Sequence, residues 1–201
     1  MANIEEKVET LITKTIENLG YELYDVIYEK EAQDYYLRIF IDTKGGISLN
    51  DCEKVNGAIS DMLDEANYIK DQYFLEVSSP GIERKLRKDK HLQANIGKEI
   101  TCNLYHPITI EQLSKENTTE KQNKTKKLQK STNLKQIDGI LKGFDKEKIT
   151  VELNVSKENS QIEIERKNIA TMKLKYNWKQ GGIEEKWKRQ KQMYQQLIVR
   201  N

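Results

Sequence analysis

Hydrophobic residues in the first third of the chain follow helical spacing first and strand spacing next. Six apolar residues recur at helical spacing between residues 4 and 19, just before a glycine, and this pattern predicts an amphipathic helix. Residues 23–29 and 35–42 then alternate apolar and polar side chains, as two strands of a hairpin do. Strict alternation in the first strand would place Leu23 and Val26 on opposite faces.

A second helix and a third strand complete this part of the pattern. Ser48 can cap a helix that carries an apolar stripe over residues 52–66, and Asp51 stands where the acidic partner of a capping box belongs. Residues 73–78 alternate again, with the odd-numbered residues inward. The order predicts an N-terminal α/β domain over residues 1–88, in which a three-stranded sheet carries two helices on one face.

The rest of the chain shows short strands without helices. We expect a linker at residues 89–96 and then a small β-barrel over residues 97–175, so that the fold class is α+β. Residues 111–136 interrupt this barrel with only three apolar residues among 26. Such a segment buries too little surface to offset its ordering entropy, and the composition predicts a disordered insertion. The predicted barrel strands are 100–104, 138–145, 149–153, 162–164 and 169–174.

Charge is distributed very unevenly along the chain. Residues 1–88 carry 18 acidic and 11 basic residues, whereas residues 111–136 carry 3 acidic and 7 basic ones. Residues 173–201 carry 2 acidic and 8 basic residues, and segment 176–201 has apolar residues spaced along one side of a predicted helix. This asymmetry suggests contact with nucleic acid, with a basic protein, or with both. Solvated surfaces without any partner would account for the same charges.

The sequence offers little for catalysis or metal binding. It has no GxxxxGK[ST], GxGxxG or GxSxG motif. His91 and His106 lack the spacing of metal ligands, and Cys52 and Cys102 lie in apolar patterns without a CxxC pair. We therefore expect no enzyme, no cofactor and no metal site. Without a recognisable signal peptide or membrane span, the predicted location is the cytoplasm.

The turn after the third predicted strand is the most distinctive local feature. Pro80 fixes φ and Gly81 accepts a positive φ, so the two residues suit the centre of a type II turn. Ser78 and Ser79 add hydroxyl groups and Arg84 adds a charge, which together would make a contact surface for a partner. The same residues would equally serve as a hinge that turns the chain toward the second domain.

Four stretches of sequence carry a resemblance to a known family. The first is YFLEVSSPGIER at residues 73–84. The others are GISLNDC at 46–52, GILKGFD at 139–145 and NIATMKL at 168–174, in consistent order. Together they resemble the ribosome maturation factor RimP family over residues 3–110 and 136–175.

The resemblance implies an N-terminal α/β domain followed by an SH3-like or Sm-like barrel. It also implies binding to immature small ribosomal subunits during late assembly, and help in placing a ribosomal protein near the decoding centre. Three features depart from the family pattern. Lys85 stands where the family usually has proline, residues 111–136 enlarge a loop, and the tail at 176–201 has no counterpart in compact family members.

These observations favour a monomeric, non-catalytic ribosome assembly factor. Its expected partners are the immature small subunit, a basic ribosomal protein near the decoding centre, which the acidic front would attract, and rRNA, with no membrane. An Sm-like RNA-binding regulator is the alternative, and an enzyme is a third possibility for which the sequence nominates no site. The candidate rRNA contacts are Lys175, Lys179, Lys186, Lys188, Arg189 and Lys191.

Overall fold

In a computed structural model the chain forms two compact units, Met1–Gly81 and Ile82–Asn201. The structure describes residues 3–109, 133–153 and 160–176. Helices and a three-stranded sheet build the first unit, and a five-stranded sheet dominates the second. This arrangement confirms the predicted α+β class. No helix within the described residues is long and apolar enough to cross a membrane.

The first unit has the predicted order of helix, strand, strand, helix and strand. The first two strands form an antiparallel hairpin, and the second helix returns the chain so that the third strand pairs in parallel with the second. Apolar residues from both helices and from one face of the sheet make a single core. The elements are α1 (Ile4–Asn18), β1 (Glu22–Glu31), β2 (Asp34–Asp42), α2 (Leu49–Ala66) and β3 (Tyr73–Ser78).

A polar cluster holds the start of α2. The predicted capping box is confirmed: the Ser48 hydroxyl accepts a hydrogen bond from the Asp51 backbone, and the Asp51 carboxylate accepts one from the Ser48 backbone at 2.8 Å. The Tyr21 hydroxyl donates to the other oxygen of the same carboxylate. Asp51, in the first turn of α2, is thereby tied to the segment between α1 and β1.

A bulge in β1 overturns the strict alternation expected there. Leu23 pairs with Ile41 and Asp25 pairs with Phe40, so three residues of β1 face two consecutive residues of β2. The extra residue shifts the phase of the side chains. Leu23 and Val26 consequently both lie in the core, and the prediction that they occupy opposite faces was wrong.

The second unit contains four strands in a meander and a fifth strand that pairs with the first of them. The elements are α3 (Asp89–Gln93), β4 (Glu99–Thr109), β5 (Asn133–Phe144), β6 (Lys148–Leu153), β7 (Ser160–Glu165), a 3₁₀ turn (Arg166–Asn168) and β8 (Ile169–Leu174). All pairs of these strands are antiparallel, in the order β7-β6-β5-β4-β8. In this order β7 and β8 do not pair with each other, so the described strands do not close into a hydrogen-bonded ring.

The second unit begins earlier than the sequence suggested. Leu86 and Leu92 come from the stretch expected to end the first domain and form the linker at 89–96, yet both are buried in the second core. The Leu86 backbone N–H donates to the Met172 carbonyl at 2.8 Å, so the chain pairs with the outer edge of β8 at this point. Leu86 and Leu92 therefore belong to the second unit, because both are buried in its core and Leu86 also pairs with β8.

The stretch expected as a disordered insertion, 111–136, is partly strand. Residues 133–136 are the first part of β5, where Gln136 pairs with Asn103 and Leu134 pairs with Ile108. Leu134 and Ile108 also pack against the core. The remainder of the predicted insertion, up to residue 132, lies outside the described residues.

Gly139 in β5 offers a direct test of packing in the second unit. A Cβ atom added there would lie 2.4 Å from the Glu152 carbonyl oxygen and 2.6 Å from Cγ1 of Val151. We expect Gly139→Ala to lower the free energy of unfolding by about 1–3 kcal/mol, the usual cost of overpacking. Gly143→Ala is the matched control, because nothing lies within 4 Å of its added Cβ. Equal urea midpoints by circular dichroism for the two variants would contradict this packing.

The Asp51 cluster predicts a pH dependence for the first unit. Hydrogen bonds from Ser48 and then from Tyr21 lower the pKa of Asp51 from 3.8 to about 2. Because the folded pKa is depressed, this contribution to stability is present above about pH 4 and is lost as the pH falls toward 2. In a carboxyl NMR titration, Ser48→Ala should raise the Asp51 pKa more than Tyr21→Phe does. The lowered pKa of Asp145, in the second unit, should stay unchanged in both variants.

Candidate functional site

The serine-proline-glycine turn ends the first unit. β3 stops at Ser78, and Gly81 is the last residue of the unit, with a φ of +75°. The Ser79 hydroxyl accepts a hydrogen bond from the Gly81 backbone at 3.2 Å. The positive φ that was expected for Gly81 is therefore present, and the hinge interpretation stays a prediction. A contact role for the two serines stays a prediction.

Arg84, the fifth residue of that candidate set, belongs to the other unit. Its carbonyl accepts a hydrogen bond from the Leu174 backbone N–H at 3.0 Å, which places it beside β8. Its side chain is half-buried. The structure thus divides the predicted set, with residues 78–81 in the first unit and Arg84 in the second.

Among the candidate rRNA contacts, the structure describes Lys175. Its ammonium group pairs with the Asp138 carboxylate at 2.8 Å on the surface of the second unit. The hydrogen bond to Asp138 raises the pKa of Lys175, so the side chain stays charged throughout the physiological range. The other candidates lie outside the described residues: Lys179, Lys186, Lys188, Arg189 and Lys191.

The outer face of the first sheet, opposite the helices, carries a cluster that sequence patterns did not reveal. Its centre is Arg38 on β2. The guanidinium contacts Glu76 on β3 through Nε at 2.7 Å, Glu31 on β1 through a terminal nitrogen at 2.7 Å, and also Glu29. We call this set, with two aromatic rings, the acidic-aromatic patch: Glu29, Glu31, Tyr36, Arg38, Phe74 and Glu76.

The two aromatic rings of the acidic-aromatic patch stack on each other. Tyr36 and Phe74 have ring centroids 5.4 Å apart at an interplanar angle of 30°. Arg38 lies 4.8 Å from the Tyr36 ring centroid, within cation–π range. Phe74 remains 55% exposed, so most of one aromatic face is available to a partner.

Electrostatics make the acidic-aromatic patch an acceptor of positive charge. The hydrogen bonds that Arg38 donates to Glu31 and Glu76 raise the pKa of Arg38 further above its usual value. One guanidinium balances one of three carboxylates and leaves two negative charges in excess. The three carboxylates are 44–53% exposed, so their remaining lone pairs can accept hydrogen bonds from a cationic side chain. The cluster was missed because it depends on strand register, which brings β1 and β3 residues to Arg38.

The boundary at Gly81 sharpens the division of charge. Residues 1–81 hold 17 acidic and 7 basic residues, a net charge of −10. The whole chain has 32 acidic and 34 basic residues, so residues 82–201 hold 15 acidic and 27 basic ones, a net charge of +12. The sequence-based boundary at residue 88 had hidden part of this contrast, because residues 84–88 contain four cations.

The histidine and cysteine of the second core have structural roles. His91 is buried, and its Nδ1 accepts hydrogen bonds from the backbone N–H groups of Arg87 and Lys88, both at 3.2 Å. Burial raises the pKa of the Cys102 thiol to about 12, which disfavours the reactive thiolate. Within the described residues no three His, Cys, Asp or Glu side chains come together as a metal site would require.

A family comparison agrees with this architecture. The model of the RimP N-terminal domain matches residues 11–83. The matched range runs from the middle of α1 through the sheet and α2 to just beyond the turn at Gly81. It therefore contains the acidic-aromatic patch and the whole sheet of the first unit. The chain therefore carries a RimP N-terminal domain over residues 11–83.

Proposed function

We propose that this protein is an assembly factor for the small ribosomal subunit that works by binding, without catalysis. The observation that carries the proposal is the match of residues 11–83 to the RimP N-terminal domain, because the members of this family are ribosome maturation factors. The match supports a general role in ribosome maturation. The partners and the division of labour described next are our own extension of it.

In this proposal the two units bind different partners. The first unit, at −10, repels rRNA phosphates and attracts a basic ribosomal protein near the decoding centre. The second unit, whose charge of +12 includes the basic tail at 176–201, holds the rRNA of the immature small subunit. A cytoplasmic monomer with this charge division would bring a ribosomal protein and its RNA site together.

The acidic-aromatic patch supports the protein-binding half of the proposal. Ribosomal proteins are rich in arginine, whose planar guanidinium pairs with carboxylates through two parallel hydrogen bonds and stacks on aromatic rings. Phe74 and the carboxylates beside it offer both kinds of contact within one sheet face. Arg38 itself contacts these carboxylates and lies over the Tyr36 ring, which supports the patch as a site for a further guanidinium.

We further propose that the second sheet curls into an SH3-like barrel. β7 and β8 occupy opposite edges of the sheet, yet only the turn Arg166–Asn168 connects them. Five flat strands would hold these edges about 19 Å apart, at about 4.8 Å per step. Three intervening residues span at most about 14 Å. This difference supports a curved sheet whose edges approach each other at the turn.

The second candidate function is an Sm-like RNA-binding regulator. The charge of +12 on residues 82–201 favours it, since RNA affinity alone would explain that charge. The two functions differ in the particle that the protein accompanies. An assembly factor travels with free small subunits, whereas a regulator travels with small RNA complexes.

Sedimentation of tagged full-length protein from lysate tests the main proposal. We expect co-migration with free small subunits. If the tail neutralises about six phosphates, the log–log salt slope should be near −4 to −5, and deletion of 176–201 should flatten it. Replacement of the five outlying tail candidates by Gln should act in the same way while keeping the chain length. An unchanged slope would remove the tail from the proposal, and migration with small RNA complexes alone would support the regulator.

The acidic-aromatic patch is tested with basic proteins extracted from purified small subunits. Glu29→Gln combined with Glu76→Gln should weaken retention of the decoding-centre protein by roughly tenfold, because two carboxylate contacts are lost. Asp64→Asn combined with Glu65→Gln on α2 is the matched control, since it removes the same charge from an exposed helix face. Equal loss in both double variants would show that net charge, rather than the patch, attracts the protein.

A further inference from the structure

Residues 84–86 extend the second sheet by a short paired segment beyond β8. Lys85 lies opposite Lys173 of β8 in an isolated antiparallel bridge. Leu86 is buried, so alternation turns its neighbours Lys85 and Arg87 to the outer face, and both side chains are exposed. Cations from two adjacent chain segments therefore meet on this face.

β4, on the other side of β8, adds polar and aromatic groups to the same face. Asn103 is the register partner of Thr171, and its side-chain amide donates to the Thr171 hydroxyl at 2.8 Å. Leu104 is buried, and the next residue, Tyr105, is 61% exposed. We call this set the β4–β8 outer face: Lys85, Arg87, Asn103, Tyr105, Thr171 and Lys173.

The backbone next to Tyr105 is held firmly. The His106 N–H donates to Oδ1 of Asn168 at 2.8 Å, and Nδ2 of Asn168 donates to the His106 carbonyl at 3.0 Å. Asn168 is the last residue of the turn before β8, so this two-way contact ties the turn to β4. A single exposed tyrosine is common on protein surfaces and does not by itself indicate a binding site. A tyrosine on a fixed backbone, on the same sheet face as amide, hydroxyl and cationic groups, is a preorganised stacking platform.

The charges on this face favour an anionic ligand. Lys85 and Lys173 lie opposite each other in the bridge, so two cationic side chains come from neighbouring segments of the same face. Glu83 pairs with Lys173 at 2.6 Å, and Asp138 pairs with Lys175 at 2.8 Å toward the end of β8 away from Tyr105. Exposed ion pairs of this kind contribute little, so a phosphate can compete for the lysines.

We propose that the β4–β8 outer face binds single-stranded RNA. An unpaired base stacks on Tyr105, while Asn103 and Thr171 offer hydrogen bonds to base or sugar edges. Lys85 and Arg87 contact the phosphates that follow. Single-stranded RNA fits better than a duplex, because the bases of a duplex are stacked on each other and hidden from a flat ring. This inference rests on the proposed function only in taking rRNA as the source of the strand.

Photocrosslinking locates the RNA on the full-length protein. The probe is a single-stranded RNA of about 12 nucleotides, mixed in sequence, with 5-iodouridine at several positions; its length lies within the usual site sizes. We expect the crosslinked peptide to contain Tyr105. Crosslinks confined to residues 177–201 would overturn the proposal, as would equally good competition by a duplex of the same length.

Substitutions separate stacking from charge. Tyr105→Ala should raise the Kd for the same RNA by at least about fivefold, whereas Tyr105→Phe should bind like the unaltered protein. Lys85→Gln should lower the salt slope by about 0.7, while Lys146→Gln in the β5–β6 turn, an equal change in charge, should leave it unchanged. A Kd for Tyr105→Ala within about twofold of the unaltered protein would overturn the proposal.

The same proteins distinguish this inference from the proposed function. If the unaltered protein co-migrates with small subunits but Tyr105→Ala leaves RNA binding unchanged, the proposed function stands and the inference fails. If the unaltered protein never co-migrates with small subunits while Tyr105→Ala still weakens RNA binding, the outer face is an RNA site and the proposed function fails.

Discussion

The backbone pairing of residues 84–86 with β8 governs how charge is divided in this protein. Two hydrogen bonds, through Leu86 and Leu174, commit the chain to the second sheet immediately after the turn at Gly81. Because residues 84–88 contain four cations, this pairing moves them out of the acidic unit and into the basic one. The charges of −10 and +12, and the proposed preference of each unit for a protein or for RNA, follow from where that pairing begins.

Features that depend on neighbouring residues were predictable from the sequence. The apolar spacing of α1 and the pairing of Ser48 with Asp51 at the start of α2 are local, and both were confirmed. The bulge between Leu23 and Asp25 was not predictable, because it exists only as a mismatch between two paired strands. A local pattern shows whether side chains alternate as in a strand or recur as in a helix. It does not show where pairing with another strand inserts a bulge and reverses which side chains face the core.

The functional surfaces depend almost entirely on register. Glu31 on β1 and Glu76 on β3 are 45 positions apart, and only the alignment of both strands with β2 brings them to Arg38. Likewise, composition alone assigned Leu134 to an insertion, whereas pairing with Ile108 makes it part of β5. The sequence shows that acidic and basic residues are concentrated in different parts of the chain. It does not show which carboxylates or lysines lie next to each other in the folded protein.

The acidic-aromatic patch and the β4–β8 outer face share one arrangement, in which an exposed aromatic ring lies on a surface with charged groups. Phe74 shares a sheet face with carboxylates and Tyr105 shares one with lysines, and the two rings have comparable exposure of 55% and 61%. The rings alone cannot choose between partners, since a guanidinium and a nucleobase both stack on an aromatic face. The sign of the surrounding charge makes the choice, because it repels one partner as strongly as it attracts the other. Exchanging the charges around either ring should therefore change the class of partner, whereas removing the ring should weaken binding without changing that class.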